Sequence, residues 1–362
     1  MLRNSSGMAL LITLAAISFL VALTVQLATS VNWQVQASSN QQEAVQLNAA
    51  LFSGLTLVRA SLYGDQQQAE QGKRQSRGFD SLQDGWNNLD KEKTLDLVGG
   101  DSLSILVQDL SGRIQLNRLV LSEEEKKDIQ GRQQEQQRQE QQQGRQPRQL
   151  QDPEKLQRGL WKRFLLSGKF AVENEDEAVA LIDALSDWID SDDQERDHGV
   201  ENGYYLTLEK PYSCRNGPLQ YPEELLLVKG FTRQLVYGDE EHQGILQYLT
   251  IYGRDGKINI NTAPAPVLKA LAPGISDEMV DMLIEFRSDP ENLDALADSG
   301  WYQQITDFPD DIVIDEGIIT TESSYFSCTV TAGRDGLQQT GTGSIYRNAE
   351  TREQTLLSWK VE

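Results

Sequence analysis

The most hydrophobic part of the chain lies near its N-terminus. Residues 4–42 contain no charged side chain, and the 18 residues from Met8 to Val25 are almost entirely apolar. Eighteen residues are close to the minimum that a helix needs to cross the hydrocarbon core of a bilayer. The pattern therefore predicts a membrane-spanning helix.

The apolar run has two other interpretations. It can be the core of a cleaved signal peptide, for which Ala28-Thr29-Ser30 offers a weak cleavage site, or an uncleaved signal anchor. Arg3 precedes the run, and positive charge favours the cytoplasmic side of a membrane. In all three cases the bulk of the chain is expected to be exported.

A second apolar pattern follows the uncharged segment. Six residues recur at steps of three and four, as on one face of an amphipathic helix: Ala44, Leu47, Leu51, Leu55, Val58 and Leu62. We predict one continuous helix from Met8 to about Leu62, about 80 Å long at a rise of about 1.5 Å per residue. Its first half would lie in lipid, and its second half would pack on a folded domain.

The following part of the chain is mostly polar. Residues 64–94 are rich in Gly, Gln and Asp and predict an irregular loop. Alternating apolar residues around 103–107 and 114–116, separated by Ser111-Gly112, predict a β-hairpin. From 130 to 151, 12 of the 22 residues are Gln, which predicts a solvated loop or linker because almost nothing there can be buried.

Helical patterns then return and give way to strand patterns near the C-terminus. Apolar residues at helical spacing occur within 160–189, and a second helical block covers 265–271 and 276–286, with Ser276 as an N-cap. Three β-branched or aromatic runs predict strands at 325–332, 342–347 and 355–361. This order predicts an α+β fold in which a helical region, from about 152 to 310, is inserted between early and late strands.

Composition narrows the classes of partner. The chain has 362 residues, 55 of them acidic and 33 basic, for a formal charge of −22. Such a charge repels the phosphate backbone of nucleic acids and favours cationic partners or divalent metals. The two cysteines, Cys214 and Cys328, are compatible with one disulfide in an oxidising compartment, and two free thiols are the alternative.

The acidic residues are densest between 171 and 202. That stretch holds 12 Asp or Glu and one Arg, and Asp190, Asp192 and Glu201 occupy relative positions 1, 3 and 12 of an EF-hand calcium loop. The match fails at positions 5 and 6, where this chain has Gln and Glu and the EF-hand needs a ligand and Gly. A solvated acidic surface is therefore the alternative to a metal site.

The sequence contains no recognisable catalytic motif. His198 and His242 are the only histidines, and GxSxG, Walker, CxxC and HExxH motifs are absent. A segment around 260–287 resembles a helix-hairpin-helix module, which in some proteins binds DNA through backbone amides. Acidic side chains surround this hairpin, and the only nearby cations are Lys269 and Arg287, so we interpret it as a packing motif.

Specific segments make the chain similar to a known family. A short leader ending in Gly7, followed by Met8 at the start of an apolar helix, resembles the processing site of type IV prepilins. Pilins usually carry Glu at the fifth mature position, where this chain has Ile12, and the K-type minor pseudopilins of type II secretion are the usual exception. Apart from the Gln-rich segment, the resemblance covers nearly the whole chain, including segments at 185–193, 204–205, 223–230, 256–264 and 324–326.

The resemblance implies a pilin fold, in which a long N-terminal helix packs on an antiparallel sheet and a large helical domain is inserted. It divides the chain into a leader at 1–7, a transmembrane part at 8–31, the first part of the pilin body at 32–151, the insertion at 152–310 and C-terminal strands at 311–362. A prepilin peptidase would cut after Gly7 and methylate Met8.

The resemblance also implies a non-enzymatic role at the tip of a periplasmic pseudopilus, anchored by one span in the inner membrane of a Gram-negative bacterium. The expected partners are the I-type and J-type minor pseudopilins, the major pseudopilin, the prepilin peptidase and inner-membrane lipid, and no nucleic acid. K-type members bind calcium in their helical domain, which implies Ca²⁺ ligands among Asp190, Asp192, Asp193, Asp197 and Glu201. A membrane-anchored or exported binding module is the alternative.

Overall fold

The computed structural model describes residues 5–70, 78–89, 102–122, 124–129, 131, 152–334, 336–348, 351 and 353–362. The main α-helices are α1 (Ser5–Glu70), α2 (Pro153–Leu165), α3 (Glu175–Ile189), α4 (Asn202–Tyr205), α5 (Arg233–Tyr237), α6 (Ala265–Ala270) and α7 (Asp277–Ser288). The strands are β1 (Ser102–Asp109), β2 (Ile114–Gln115), β3 (Leu249–Thr250), β4 (Ile258–Asn259), β5 (Ile319–Thr320), β6 (Tyr325–Arg334), β7 (Leu337–Arg347) and β8 (Gln354–Val361). Short 3₁₀-helices lie at Gly85–Asn88, Leu116–Arg118, Pro222–Leu227, Leu246–Tyr248, Pro290–Ala297 and Trp301–Gln304.

Helix α1 is continuous, as predicted, and extends beyond the predicted range at both ends. Residues 7–42 are exposed along their whole length, whereas the apolar stripe is buried at Leu47, Leu51, Leu55, Val58 and Leu62. Gly54 lies where the helix meets the sheet, and a Cβ there would stand 2.4 Å from a methyl group of Val330. The glycine therefore allows helix and sheet to approach closely.

A four-stranded antiparallel sheet packs on the second half of α1, with the strand order β1-β6-β7-β8. Alternate residues of a strand face opposite sides of the sheet, so β6 buries Phe326, Cys328, Val330 and Ala332 against the helix and turns its other residues away. The three predicted C-terminal strands are confirmed, each at least as long as expected. We call α1 and this sheet the body.

The predicted hairpin is wrong. Strand β2 does not return along β1: it pairs in parallel with β3, and β1 pairs with β6 near the other end of the chain. The turn at Ser111-Gly112 instead leads into the insertion, where a Cβ on Gly112 would stand 2.6 Å from Thr262 Oγ1. Alternating apolar and polar residues indicate that a segment is a strand, but they do not identify the strand with which it pairs. Two strands that are neighbours in the sequence can therefore be mistaken for a hairpin.

The inserted domain has a hydrophobic core separate from that of the body. Helices α2, α3, α6 and α7 contribute to this core, at the positions where the sequence predicts helices. Apart from Phe79, which comes from the segment before β1, the residues of this core outside the predicted limits of 152 and 310 are Ile114, Leu116, Leu119, Ile314, Ile318 and Ile319. The insertion therefore begins soon after β1 and ends just before β6.

Part of the predicted loop at 64–94 has regular structure. Helix α1 reaches Glu70, and the 3₁₀-helix Gly85–Asn88 buries Trp86 against Phe326, with ring centroids 5.3 Å apart. The predicted Gln-rich linker at 130–151 lies almost entirely outside the described residues.

A buried polar cluster, here called the junction, joins the body to the insertion through Asp80, Asp109, Asn259, Thr262, Ser323 and Arg347. Asp80 forms an ion pair with Arg347 and accepts a hydrogen bond from the Ser323 amide at 2.7 Å. Asp109 accepts hydrogen bonds at 2.5 Å from both Ser323 Oγ and Thr262 Oγ1. Asn259 Nδ2 donates to Ser323 Oγ at 2.7 Å. The two units are thus held together by hydrogen bonds as well as by chain connections.

Candidate metal centre

Helix α3 contributes two buried acidic side chains next to the acidic loop formed by residues 190–201. Its N-cap is Asn174, whose side chain accepts a hydrogen bond from the Glu177 amide at 2.9 Å. Asp183 and Asp187 are four residues apart, so they lie on the same side of the helix, and both are buried. The helix ends at Ile189, which brings the acidic loop beside these two carboxylates.

The loop brings together three of the five predicted ligands. Carboxylate oxygens of Asp190, Asp192 and Glu201 lie within 4.8 Å of one another. Glu201 is buried, Asp190 is half-buried and Asp192 is exposed, so the group runs from the protein interior to the surface. These are the three residues whose spacing matches an EF-hand loop.

Several oxygen atoms of this group have no hydrogen-bond donor. Within the described part of the chain, Asp190 Oδ1 and both carboxylate oxygens of Glu201 are buried and accept no hydrogen bond of ordinary geometry, and the thiol of Cys214 is only a weak donor beside Glu201. Burial, together with the charges of Asp190 and Asp187, raises the pKa of Glu201 to about 7. An unsatisfied buried polar group costs about 1–3 kcal/mol, and more when it is charged. A bound cation would remove that cost.

One cation of the protein already faces the inner part of the cluster. Arg196 forms an ion pair with Asp187 at 2.5 Å and a second ion pair with Asp190. Its backbone amide also donates to Asp187 Oδ2 at 3.1 Å. Burial still raises the pKa values of Asp187 and Asp190 above the ordinary value for Asp. Arg196 therefore neutralises part of the cluster and leaves the oxygens of Glu201 unsatisfied.

The other two predicted ligands, Asp193 and Asp197, are not members of the group. Asp193 Oδ1 accepts hydrogen bonds from the side-chain amides of Asn202 at 3.0 Å and Asn216 at 3.2 Å. It thereby holds the loop against its neighbours. Asp197 is exposed to solvent on the same loop.

Asn216 is a candidate ligand that the sequence analysis did not identify. Its backbone φ of 47° is left-handed, a conformation that Asn tolerates better than most residues. Its side-chain nitrogen donates to Asp192 O at 3.0 Å, while its Oδ1 is buried without a donor among the described residues. The only sequence signal is the Asn-Gly pair at 216–217, which is typical of turns.

The loop has the length of an EF-hand loop but a different internal structure. Residues 190–201 connect α3 directly to α4. At relative position 7 an EF-hand presents a backbone carbonyl to the ion, whereas here the carbonyl of Arg196 accepts a hydrogen bond from the Gly199 amide at 3.0 Å. The helix-loop-helix connection is therefore similar in spacing only.

The atoms without donors determine which ion fits. All of them are oxygen atoms of carboxylates or of an asparagine amide. Ca²⁺ binds six to eight such oxygens in flexible geometry, whereas Zn²⁺ prefers the nitrogen and sulfur atoms of His and Cys. His198, the nearest candidate nitrogen ligand in sequence, instead has Nδ1 3.4 Å from Asp183. The residues present fit Ca²⁺.

The structure contradicts the predicted disulfide. Cys214 and Cys328 are both free and buried, Cys214 in the core of the insertion and Cys328 in the core of the body. Cys214 Sγ donates to Asp187 O at 3.6 Å, and its amide donates to Asn202 Oδ1 at 2.8 Å. The two cysteines therefore lie in separate cores and form no disulfide in this structure.

The cations of the helix-hairpin-helix segment are engaged within the protein. Lys269 Nζ bonds to Asp277 Oδ1 at 3.0 Å and donates to Ser167 O at 3.2 Å. Arg287 is buried and donates to Ile260 O at 2.9 Å. These contacts support the interpretation of α6 and α7 as a packing motif.

Two family models match the chain, both described as "Type II secretion system (T2SS), protein K". One matches residues 112–238 and the other matches residues 258–311, and together they span half of the chain. The chain belongs to the type II secretion system protein K family. The first match contains the candidate metal centre of this family member, and the second contains α6 and α7.

Relatives of known name agree with this assignment. The type II secretion system protein K of Pseudomonas aeruginosa is 25% identical over 285 residues, which cover 78% of this chain and 73% of the relative. The protein of the same name from Klebsiella pneumoniae is 33% identical over 128 residues, which cover 34% of this chain and 35% of the relative.

A solved structure confirms the α+β pilin-like fold. A chain in the crystal structure of the GspK-GspI-GspJ complex from the enterotoxigenic Escherichia coli type 2 secretion system matches with a TM-score of 0.58 and 17% identity, over 90% of this chain and 99% of that chain. Within the described residues, α1 contains the one segment that is long and apolar enough to cross a membrane. This segment is the candidate single membrane anchor of the family member.

Proposed function

We propose that the chain is a non-enzymatic structural subunit at the tip of the type II secretion pseudopilus. There it would promote initiation of the pseudopilus and protein export across the outer membrane. The observation that carries this proposal is the insertion, a domain with its own core between β1 and β6 of a small body. A subunit with such bulk does not repeat easily in a helically packed filament, and a terminal position avoids the clash.

The apolar half of α1 supports the same position. Ile12 is an exposed apolar residue where the resemblance to pilins leads us to expect Glu. A carboxylate in a membrane is costly unless it is paired, and in pilins it is thought to pair with the terminal amine of a neighbouring subunit. A subunit without this carboxylate lacks the group that would receive a subunit added above it.

The expected partners follow from this position. The I-type and J-type minor pseudopilins would contact α1 below the tip, and the major pseudopilin would form the shaft. The E. coli structure described above is a complex of proteins named GspK, GspI and GspJ, which supports this choice. Residues 8–31, all exposed, would lie in the inner membrane before assembly, with the body and the insertion in the periplasm.

Co-purification and labelling test the tip position. The full-length chain, expressed with the I-type and J-type pseudopilins, should form a complex with the three subunits in equal amounts. Expressed alone, it should form no filaments. Immunogold labelling should place this subunit at one end of each pseudopilus, while labelling of the major pseudopilin decorates the shaft. Many copies along the shaft would falsify the tip position.

Processing between Gly7 and Met8 is a second expected property, because Gly7 directly precedes the apolar span. Gly7→Val should leave an unprocessed, membrane-retained chain that contains the leader. Gly64→Val is a matched control in the same helix, since a Cβ at Gly64 meets no atom within 4 Å, and it should be processed normally. N-terminal sequencing distinguishes the two products. A mature N-terminus near Asn32 would instead identify a cleaved signal peptide.

We further propose that the insertion binds Ca²⁺ through Asp190, Asp192 and Glu201, with Asn216 Oδ1 as an additional ligand. Bound Ca²⁺ would supply the positively charged partner that these oxygens lack. Asp193 holds the side-chain amides of Asn202 and Asn216 in place, which orients Oδ1 of Asn216. Binding would fix the loop between α3 and α4 and stabilise the insertion.

A further inference from the structure

A groove separates the outer face of the sheet from the inserted domain. Its volume is about 790 Å³. The floor is the face of the sheet that points away from α1, and the walls come from residues 220–223 and 236–252 of the insertion. The role proposed above does not use this groove.

The floor is a regular array of hydroxyl groups. Pairing of β6, β7 and β8 places Ser327 beside Ser344 and Ser344 beside Ser358. In the next row, Thr329 lies beside Thr342. Neighbours across paired strands have Cβ atoms about 4.5–5.5 Å apart, so these side chains form a flat grid.

The hydroxyls of this grid are available to a ligand. Among the contacts of the described residues, none of these five side chains forms a hydrogen bond within the protein. By contrast, Thr331 and Thr340 form the next row outside the groove, and their hydroxyls lie 3.2 Å apart and bond to each other. Each hydroxyl is both a donor and an acceptor, so the grid suits a ligand that carries many groups of both kinds.

The walls add aromatic and apolar surface. Tyr221 and Tyr237 line the groove and are 66% and 48% exposed. Arg233 lies over the ring of Tyr237, 5.3 Å from its centroid, and Tyr221 is the more exposed ring. Leu246 and Ile251 also line the groove and are half-buried, so part of each side chain is accessible to a ligand. An open aromatic face near an apolar wall can hold a ring that has one apolar side.

The charged groups of the groove have partners in the protein. Arg113 donates to Gln108 Oε1 at 2.9 Å, and Lys360 forms an ion pair with Glu362. The remaining charged group of the lining is Glu223. In a chain of charge −22, the groove is therefore close to neutral, which favours an uncharged ligand over a polyanion or a polycation.

We propose that this groove binds a linear glycan of N-acetylated amino sugars, the chemistry of a cell-wall strand. The sugar hydroxyls bond to the Ser and Thr grid, the apolar face of a sugar ring stacks on Tyr221, and an acetamido methyl group contacts Leu246 and Ile251. A peptide would pair with the free edge of β8, at one side of the floor, but the hydroxyl grid lies on the face of the sheet, where a ligand meets side chains instead of backbone groups. This inference does not depend on the tip position.

Titration of the full-length chain in lipid nanodiscs with chitohexaose tests the proposal. Calorimetry should show saturable binding, and saturation-transfer NMR should show contact with the acetamido methyl groups. Tyr221→Ala and Thr342→Val should each raise the Kd about tenfold, as expected for loss of one stacking or hydrogen-bonding contact. Thr340→Val removes a hydroxyl from the same strand outside the groove and should bind like the parent.

Several results would overturn the proposal. The first is no binding of chitohexaose at millimolar concentration by a chain whose thermal unfolding is normal. The second is an equal loss of affinity in Thr342→Val and Thr340→Val, because the groove would then not be the site. Cellohexaose lacks acetamido groups and should bind more weakly, and equal affinity for the two sugars would exclude the acetamido contact.

Discussion

The junction and the candidate metal centre are both buried acidic clusters, but their oxygens are satisfied differently. In the junction, Asp80 faces Arg347, and Asp109 accepts hydrogen bonds from Ser323 and Thr262. In the metal centre, both carboxylate oxygens of Glu201 lack a donor within the described part of the chain. The junction is thus complete as a structural element, whereas the proposed metal centre would be completed by a cation from outside.

The pKa shifts alone do not separate the two clusters. Burial raises the pKa of Asp80 and raises the pKa of Asp109 to about 6. Burial likewise raises the pKa of Glu201, to about 7. A raised pKa therefore reports burial in both places, and the presence or absence of donors distinguishes the structural cluster from the binding one.

Removal of the positive charge of Arg347 from the junction should have the largest effect on the free energy of unfolding. Arg347→Ala leaves Asp80 buried without its counter-ion, and loss of one partner of a buried ion pair costs about 3–5 kcal/mol. Urea unfolding of the full-length chain in detergent should show a lower midpoint. Lys360→Ala breaks the exposed ion pair with Glu362 on the same sheet and should leave the midpoint near that of the parent.

A double variant sharpens this test. Replacement of both partners, as Arg347→Met with Asp80→Asn, removes the unpaired charge and should recover part of the lost stability. Equal midpoints for Arg347→Ala and Lys360→Ala would contradict the structural role of the junction.

The pH dependence of the junction should be the next largest effect. Below pH 3.8, Asp109 is protonated in the folded and the unfolded state, and its titration contributes nothing. Between pH 3.8 and about 6 the unfolded state releases the proton first, so the folded state loses stability as the pH rises. Above about pH 6 the loss is constant, on the order of 2–3 kcal/mol.

Asp109→Asn removes this titration while the neighbouring charges of Asp80 and Arg113 stay in place. The difference in unfolding free energy between parent and variant should therefore change between pH 4 and pH 6.5 and stay constant from pH 6.5 to pH 8. Parallel curves over the whole range would show that Asp109 keeps an ordinary pKa.

Local patterns were sufficient to predict the elements that depend on short-range periodicity. The stripe from Leu47 to Leu62 predicted α1, and the three of the five predicted ligands that the loop brings together, Asp190, Asp192 and Glu201, are those whose spacing matches an EF-hand loop. Both depend on residues close together in the sequence, where helix geometry or loop length determines the spacing.

Features that depend on distant residues could not be predicted. The partner of β1 lies more than two hundred residues away, and Asn216 reaches the acidic loop only through the fold. The sequence also did not separate Asp193 and Asp197 from the members of the group, because side-chain directions in an irregular loop follow no period. The separate cores that hold Cys214 and Cys328 are likewise a tertiary property.

Calcium-dependent stability gives the smallest effect and the most direct contrast between the clusters. At a free Ca²⁺ concentration tenfold above Kd, binding to the folded state should add about 1.4 kcal/mol. Thermal unfolding should show a shift between calcium and chelator. Glu201→Gln should abolish the shift, and Asp197→Asn, on the same loop outside the group, should keep it. Loss of the shift in both variants, or in neither, would contradict the assignment.

The stability of the variants in chelator, without bound calcium, distinguishes a binding site from a structural cluster. Glu201→Gln removes a buried charge that has no donor among the described residues, so without calcium this variant should be at least as stable as the parent. Arg347→Ala should be less stable than the parent with or without calcium, because Asp80 depends on a partner inside the protein. If Glu201→Gln also destabilises the calcium-free chain by several kcal/mol, Glu201 has a partner inside the protein. The acidic group would then be a structural cluster like the junction, and not a metal centre.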